Sequence, residues 1–278
     1  MAFARGIFRM VRGDFGELAF REVLRAKQCP LVGLDFNDNT RLSGTALKIL
    51  DRCLCYFKRE LPADIQRLLP RNASSAQRLS LERNAHKLMP VSLGLCASRQ
   101  INLPQPGNEK KHDVFFSGDL GSDVRRGEIR LLEQLKAVGI RVFRPEARLT
   151  QQEFLKCCSE SYLVWSPEGA GWDCFRHYES AAAGSVPVMN TPFITPYQPL
   201  LHNQHALYYL SEFGIKSPPA PEFRTVTEGF VPTVVRALED RPRLERMGMA
   251  AREFALSHHT HEAIVHHIIS AIESRCPV

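Results

Sequence analysis

Two glycines, an arginine and a carboxylate follow an apolar run in the second half of this chain. Gly169 and Gly171 come soon after the run 161–165, and glycine lets a turn bring its backbone close to an anion. Arg176 and Glu179 lie three residues apart and share one face of a helix. A guanidinium suits phosphate, and a carboxylate can accept both hydroxyls of a ribose. The pattern predicts a site for a phosphorylated or nucleotide ligand, with a plain tight turn and an i,i+3 salt bridge as the alternative.

The elements around this site follow the order of a βαβ unit. The run 161–165 leads into the turn, and a helix then stops at Gly184 before a second apolar run at 186–189. In such units the ligand lies where the loop leaves the strand and the helix begins. Apolar runs and segments of helical periodicity alternate through the chain after residue 112, which predicts a parallel doubly wound sheet. The predicted strands are 113–117, 140–144, 161–165, 186–189 and 206–210, and the predicted helices are 124–138, 150–158, 173–183, 225–239, 242–256 and 260–274.

The first hundred residues predict part of another α/β lobe. Strands are expected at 30–35 and 54–57, with a helix from about 43 to 51 between them. The stretch 102–111 is rich in proline and polar residues, which is typical of an interdomain linker. We therefore expect a partial N-terminal α/β lobe over 1–105, a linker over 106–112 and a C-terminal domain over 113–278.

The charge is distributed unevenly along the chain. Residues 1–110 hold 18 Lys and Arg against 10 Asp and Glu, whereas residues 111–278 hold 18 against 20. A basic first half that faces an anionic membrane surface is one interpretation, and solvated helix faces are the other. Nucleic acid is disfavoured as a partner because the arginines are dispersed and lack interleaved aromatics.

The composition indicates a globular protein of a reducing compartment. Of the 278 residues 44% are hydrophobic, enough to bury a core, and no run approaches the length of a membrane span. We expect no signal peptide, since charged groups are spaced through the first thirty residues. The eight cysteines form no CxxC pair, which favours reduced thiols in the cytoplasm.

Several common catalytic and binding motifs are missing. The segment Ser117-Gly-Asp-Leu-Gly-Ser122 is the nearest substitute for the nicotinamide fingerprint, but its acidic residue would oppose a pyrophosphate. Neither a P-loop nor a GxSxG nucleophile elbow occurs. The segment from His261 to His266 is one residue too long for the HExxH zinc motif, so its two imidazoles could not clamp one ion. We therefore expect no metal site.

The second half resembles the nucleotide-sugar domain of GT-B glycosyltransferases. It is most similar to the bacterial group-1 transferases of the spore-maturation type, and more faintly to exostosin-like domains. The resemblance covers about 165 residues from 113 onward and rests on segments 115–118, 126–127, 166–179, 183–188 and 258–261. It implies an α/β fold with two Rossmann-like lobes, in which the C-terminal lobe is a parallel doubly wound sheet and the N-terminal lobe is incomplete.

The resemblance also implies roles for particular residues. Arg126 and Arg176 would neutralise the diphosphate leaving group without a metal, and Glu179 would hold the ribose. Glu168 would lie near the transferred sugar and Asp173 would touch its hydroxyls, so these two are the catalytic candidates. Glu168 and Glu179 are eleven residues apart instead of the eight of the retaining branch, which leaves the stereochemical outcome open. The remaining donor-binding candidates are Gly118, Ser166, Gly169 and Gly171.

The expected function is therefore transfer of a sugar from a nucleoside diphosphate sugar to a glycan, lipid or protein acceptor. No cofactor is expected beyond this donor, and the expected location is the cytoplasm or the inner face of the membrane, held by the basic half. The alternative is a non-catalytic nucleotide-sugar-binding or scaffold protein with a truncated acceptor lobe. A nicotinamide oxidoreductase is disfavoured because its fingerprint is missing.

Overall fold

The computed structural model describes residues 30–105, 107, 109–214 and 218–276 and contains two parallel sheets. The smaller sheet has three strands, β1 (Val32–Asp35), β2 (Cys55–Lys58) and β3 (Leu88–Pro90), in spatial order 1-2-3. Parallel strands need a crossover between them, and helix α1 (Gly44–Arg52) supplies the first. Helix α2 (Ser75–Asn84) supplies the second and begins with a capping box between Ser74 and Gln77.

The larger sheet carries the predicted glycine turn. Its strands are β4 (His112–Phe115), β5 (Val142–Phe143), β6 (Ser161–Trp165), β7 (Val186–Asn190) and β8 (Leu207–Tyr209), all parallel in the order 5-4-6-7-8. Apolar side chains fill both faces, since β7 and β8 contribute to two separate buried clusters. Burial on both faces explains the continuous apolar runs that predict these strands. The predicted fold class, α/β with a parallel doubly wound sheet, is confirmed.

The remaining helices cover the two faces of the larger sheet or link the lobes. The cluster on one face joins β6 and β7 to the later helices, and the cluster on the other joins β7 and β8 to the helix after the turn. Within the described residues, no helix is long and apolar enough to cross a membrane. The helices that cover the larger sheet or link the lobes are α3 (Ala97–Ile101), α4 (Asp123–Glu128), α5 (Leu131–Ala137), α6 (Gln151–Ser159), α7 (Phe175–Ala182), α8 (Phe230–Leu238), α9 (Arg241–His258) and α10 (His261–Glu273).

The structure differs from the predicted elements at several places, including the helix predicted over 225–239, which begins at Phe230. The single helix expected over 124–138 is two helices, α4 and α5, because the chain turns at Ile129 and Arg130. The helix expected from residue 173 begins at Phe175, since the backbone of Asp173 is held by a contact from the first lobe. Strand β3 was missed because its three residues are too short to show a periodic pattern.

The last helix of the chain returns to the first sheet. Ile264 and Ala271 of α10 share a buried cluster with Cys55 and Phe57 of β2. Just before α10, the backbone N–H of Leu95 donates to the carbonyl of His259 at 2.6 Å. The hydrophobic core around the smaller sheet therefore contains residues from both the beginning and the end of the described chain.

Gly248 marks the tightest packing of α9 against the βαβ unit. A Cβ at this position would lie 2.4 Å from the carbonyl oxygen of Gly184, the residue that ends α7 with a φ of +82°. Alanine normally stabilises a helix relative to glycine, but here the methyl group meets rigid backbone.

We expect Gly248→Ala to lower the free energy of unfolding by about 1–3 kcal/mol in urea titrations. Gly44→Ala is the matched control, because no atom lies within 4 Å of a Cβ at the start of α1. The control should be neutral or slightly stabilising. Equal effects of the two substitutions would contradict the packing described.

Candidate active site

The glycine turn lies at the carboxyl edge of the larger sheet, next to the loop that follows β4. Strands β4 and β6 are neighbours, so their carboxyl ends bring Gly118 and the turn 166–173 together. The Oγ of Ser122 donates to the carbonyl of Glu168 at 2.9 Å, and Arg125 Nη2 donates to the carbonyl of Pro167 at 3.3 Å. The two loops are therefore bonded to each other, and we call their junction, at 117–122 and 166–173, the crevice.

One end of the turn is fixed by Asn190 at the end of β7. Its side-chain oxygen accepts from the backbone N–H of Glu168 at 2.9 Å, and its Nδ2 donates to Glu168 Oε2 at 2.9 Å. The indole of Trp172 donates to the carbonyl of the same asparagine at 2.9 Å. Asn190 therefore links the turn to the neighbouring strand.

The other end of the turn is held by Glu60, which belongs to the first lobe and follows β2. Its two carboxylate oxygens accept from the backbone N–H groups of Trp172 and Asp173, each at 3.0 Å. Burial raises the pKa of Glu60 to about 8, although Arg59 and the two amides favour its charged form. Sequence reasoning assigned the amides of this turn to a ligand, and the structure shows that these two already bind an internal carboxylate.

Arg176 brings a cation to the crevice without an anion of its own. Its Nε and Nη1 have no contact with solvent and no hydrogen-bond partner among the described residues. Its guanidinium lies over Phe116 at 5.2 Å from the ring centroid, and a Cβ on Gly118 would lie 2.1 Å from Nη2. Burial lowers the pKa of Arg176, and repulsion by Arg125 lowers it further. A bound anion would offset both the burial of the Arg176 guanidinium and its repulsion by Arg125.

Arg125, and not its neighbour Arg126, faces the turn. Arg125 is buried, its Nε has no hydrogen-bond partner, and its Nη2 would lie 3.0 Å from a Cβ on Gly169. The guanidinium of Arg126 is on the surface, where it donates to two backbone carbonyls and pairs with Asp123. Arg125 shares a helix face with the buried Glu128 three residues on, but nothing in the sequence shows that this face of α4 is the buried one.

Glu179, the predicted ribose ligand, is paired across the lobes. Arg99 of α3 donates to its Oε1 at 2.5 Å and lies over the ring of Phe175 at 4.0 Å from the centroid. Burial raises the pKa of Glu179, while Arg99 and Arg176 lower it. The carboxylate is therefore in the crevice, but its first partner is a cation of the protein.

The two predicted catalytic carboxylates have different surroundings. Glu168 is buried and hydrogen-bonded to Asn190, and burial raises its pKa. Asp173 is buried between the lobes, where it accepts from the backbone N–H of Leu93 at 2.8 Å and from the hydroxyl of Tyr178. Burial also raises the pKa of Asp173. Both oxygens of Asp173 are bonded, one to the backbone of Leu93 in the first lobe and the other to Tyr178 in its own lobe.

Ser166 and Gly171 support the turn from within. The hydroxyl of Ser166 is 2.8 Å from His177 Nδ1, and His177 Nε2 lies 2.8 Å from the carbonyl of Trp172. A carbonyl can only accept, so Nε2 carries the proton and Nδ1 accepts from Ser166. Burial lowers the pKa of His177 to about 4, which keeps the ring neutral. A Cβ on Gly171 would lie 2.4 Å from Glu60 Oε1, so this glycine makes room for the carboxylate.

The arrangement as a whole suits an anionic ligand. Two guanidiniums with unused N–H groups face a crevice whose walls are glycine backbone, and a third arginine approaches from the first lobe. Such groups bind phosphate oxygens strongly when they are removed from water. In the part of the chain that the structure describes, no three His, Cys, Asp or Glu side chains converge as a metal site.

Comparison with known proteins shows similarity of fold. The chain matches no protein-family model, and no curated protein matches it in sequence. It resembles the crystal structure of TarM, a protein of S. aureus, with 12% identity and a TM-score of 0.50 over 89% of this chain and 51% of TarM. Sucrose-phosphate synthase from Thermosynechococcus elongatus is 13% identical with a TM-score of 0.49, over 83% of this chain and 60% of that protein.

AviGT4, described as a glycosyltransferase of avilamycin A biosynthesis, gives 12% identity and a TM-score of 0.45 over 92% of this chain and 78% of AviGT4. The chain thus spans about half to three fifths of the first two proteins and more of the third. Together with the two parallel sheets, the likeness to TarM places this chain in the GT-B fold class.

The free protein should become more stable when the unpaired guanidinium is removed. Arg176→Met keeps an unbranched apolar side chain over Phe116 but deletes buried N–H groups that have no partner. We expect the free energy of unfolding to rise by about 1 kcal/mol, measured by urea titration without ligand.

The matched control is Arg126→Met, since Arg126 of α4 lies on the surface and has partners for its N–H groups. That substitution should change the free energy of unfolding little. A clear loss of stability in Arg176→Met alone would mean that the Arg176 guanidinium serves packing and not ligand binding.

Proposed function

We propose that this chain is a glycosyltransferase that uses a nucleoside diphosphate sugar as its donor. One observation carries the proposal: Arg176 places a guanidinium with two unsatisfied, solvent-shielded nitrogens against the backbone of Gly118. A buried cation without an anion is costly, so a site of this kind is explained by a ligand that supplies the charge. In open α/β sheets, ligands generally bind in the crevice at the carboxyl ends of the strands, which is where Arg176 lies.

The proposed donor spans the crevice from the β4 loop to α7. Its diphosphate lies between Arg176 and Arg125, and Arg125 replaces Arg126 in the role that the resemblance suggested. The pentose hydroxyls bind Glu179, which first has to exchange its ion pair with Arg99. Glu168 lies near the transferred sugar, and Asp173 acts through the lobe interface, since its oxygens are already bonded.

The proposed chemistry is electrostatic. As the glycosidic bond to the diphosphate breaks, negative charge grows on the phosphate and positive charge on the sugar. Two guanidiniums in a solvent-shielded crevice stabilise the departing diphosphate, and this kind of preorganised charge is the largest contribution in many enzymes. The acceptor, a glycan, a lipid or a protein, enters from the first lobe. We assign the chain to the group-1, spore-maturation-type transferases on the segments that resemble them.

Nucleoside diphosphates should stabilise the wild-type protein. We expect UDP or GDP to raise the melting temperature, because a ligand that binds only the folded state adds to its stability. Arg176→Met should lose this response and Arg126→Met should keep it.

Wild type with a panel of nucleoside diphosphate sugars should release nucleotide, detected by mass spectrometry.

The outcomes separate donor binding from catalysis. Arg176→Met with an undiminished response to nucleotide would show that the site is placed wrongly. Nucleotide binding by wild type with no release from any donor, whatever acceptor is added, would leave a donor-binding protein and contradict the transferase.

We also propose that the chain works at the cytoplasmic face of a membrane. The surface of α1 and α2 carries Lys48, Arg52 and Arg83, with Leu79 58% exposed beside them. The seven cysteines within the described residues are free thiols, which suits a reducing compartment. Neutralising Lys48, Arg52 and Arg83 together should reduce flotation with phosphatidylglycerol vesicles about tenfold or more. Equal flotation of wild type and the triple variant would contradict a role for this face.

A further inference from the structure

The carboxylate of Glu60 lies entirely inside the contact between the lobes. Its side chain has no exposed surface, and both oxygens accept backbone N–H bonds from the other lobe. The residues after it continue the contact, since the N–H of Ala63 donates to the carbonyl of Phe193 at 3.1 Å and Thr195 donates back to Leu61 at 2.8 Å. Glu60 therefore reaches the turn from a fixed backbone position.

The glycine turn is suspended between two side-chain anchors. Asn190 binds its first residue, Glu168, and Glu60 binds its last two, Trp172 and Asp173. Between these anchors the turn is closed by one bond, from the N–H of Gly169 to the carbonyl of Gly171 at 2.9 Å. Glycine backbone has little stiffness of its own, so the position of the turn depends on these anchors together with the bonds from Ser122, Arg125 and His177 to its carbonyls.

The position of the glycine turn determines the distance between the groups that are proposed to bind phosphate. Gly169 lies against the guanidinium of Arg125, and the carbonyls of Pro167 and Glu168 are bonded to Arg125 and Ser122. A shift of the turn by a fraction of an ångström would change the space between Arg125 and Arg176. Geometry at this level decides how well a preorganised site binds.

We propose that Glu60 is a positioning residue of the donor site: from the first lobe it holds the glycine turn in the shape that accepts a diphosphate. This inference rests on the function proposed above. Glu60 does not contact the ligand. It acts through the amides of Trp172 and Asp173, and it makes the donor site of one lobe depend on contact with the other.

Ionisation of Glu60 should change the fluorescence of Trp172, because the backbone N–H of Trp172 donates to the Glu60 carboxylate. The ionisable groups that face Glu60 are Arg59, which Asp38 also binds, and Asp173, which is bonded to Tyr178. The pKa of Glu60 is raised from 4.5 to about 8, so the protonated form is favoured in the folded state. The stability this group contributes is present below pH 4.5 and is lost as the pH rises toward 8.

The test compares wild type with Glu60→Gln, Glu60→Asp and the control Asp113→Asn. Glutamine keeps the shape but turns an NH2 group toward an amide N–H, and aspartate keeps the charge but is too short to reach both amides. Asp113 is an equally buried carboxylate at the opposite end of β4, where it binds Arg141 and Arg241. The readouts are the pH dependence of tryptophan fluorescence and the affinity for inorganic pyrophosphate and UDP.

Wild type and Asp113→Asn should show a fluorescence transition with a midpoint near pH 8, and Glu60→Gln should lack it. Trp165, the only other tryptophan, remains unchanged in every variant. Above pH 8, where the Glu60 carboxyl is ionised, both Glu60 variants should bind pyrophosphate and UDP about tenfold more weakly than wild type, because each loses at least one hydrogen bond from the turn to a charged carboxylate. Asp113→Asn should bind both ligands as wild type does.

Folded Glu60 variants that bind pyrophosphate as tightly as wild type would overturn the positioning role and leave the proposed function intact. Wild type that binds neither pyrophosphate nor UDP would instead overturn the proposed function, and the fluorescence transition would still report whether Glu60 holds the turn. If Glu60→Gln does not fold, Glu60→Asp decides the affinity comparison. Absence of a pH transition in wild type would contradict the ionisation described.

Discussion

The crevice depends on the cost of keeping a guanidinium away from water without an anion. Proteins usually satisfy a buried arginine with a carboxylate, yet Arg176 has two nitrogens without a partner and a second arginine beside it. The surrounding contacts hold these charges in place: Gly118 and Gly169 give them room, and the turn is tied at both ends. Under the proposed function, stability given up in the free protein would be regained when an anion binds, which is the general form of a preorganised site.

The second feature of the structure is that both lobes build this one site. Glu60 binds the amides of the turn, Asp173 accepts from the backbone of Leu93, and Arg99 pairs with Glu179. Each of these contacts joins a polar group of the first lobe to one of the second, and each is largely buried. The charged groups of the crevice are therefore arranged by contacts made far apart in sequence.

The fold could be predicted well from the sequence because local patterns determine it. Continuous apolar runs identify β6 and β7, and Gly184 marks the end of α7. The location of the site at the glycine turn follows from the same patterns. Partners across the lobes could not be predicted, since nothing near Glu60 or Arg99 in sequence indicates contact with residues eighty or more positions away. Whether Arg125 or Arg126 faces the glycine turn depends on how α4 is rotated about its axis. Adjacent helical residues point in different directions, so the sequence alone does not identify the one that faces the turn. The roles of the individual site residues stay predictions.

The path of the chain also limits how the lobes can move. The polypeptide crosses from the first sheet to the second between α3 and β4, and it crosses back between α9 and α10. Within the described residues these are the two covalent connections between the lobes, and two connections would restrict a separation of the lobes to a rotation about the line that joins them. The backbone bonds of Leu95 with His259 and His261 lie beside the second connection, close to the pivot. Entry and exit of large molecules would therefore occur at the rim farthest from this hinge line.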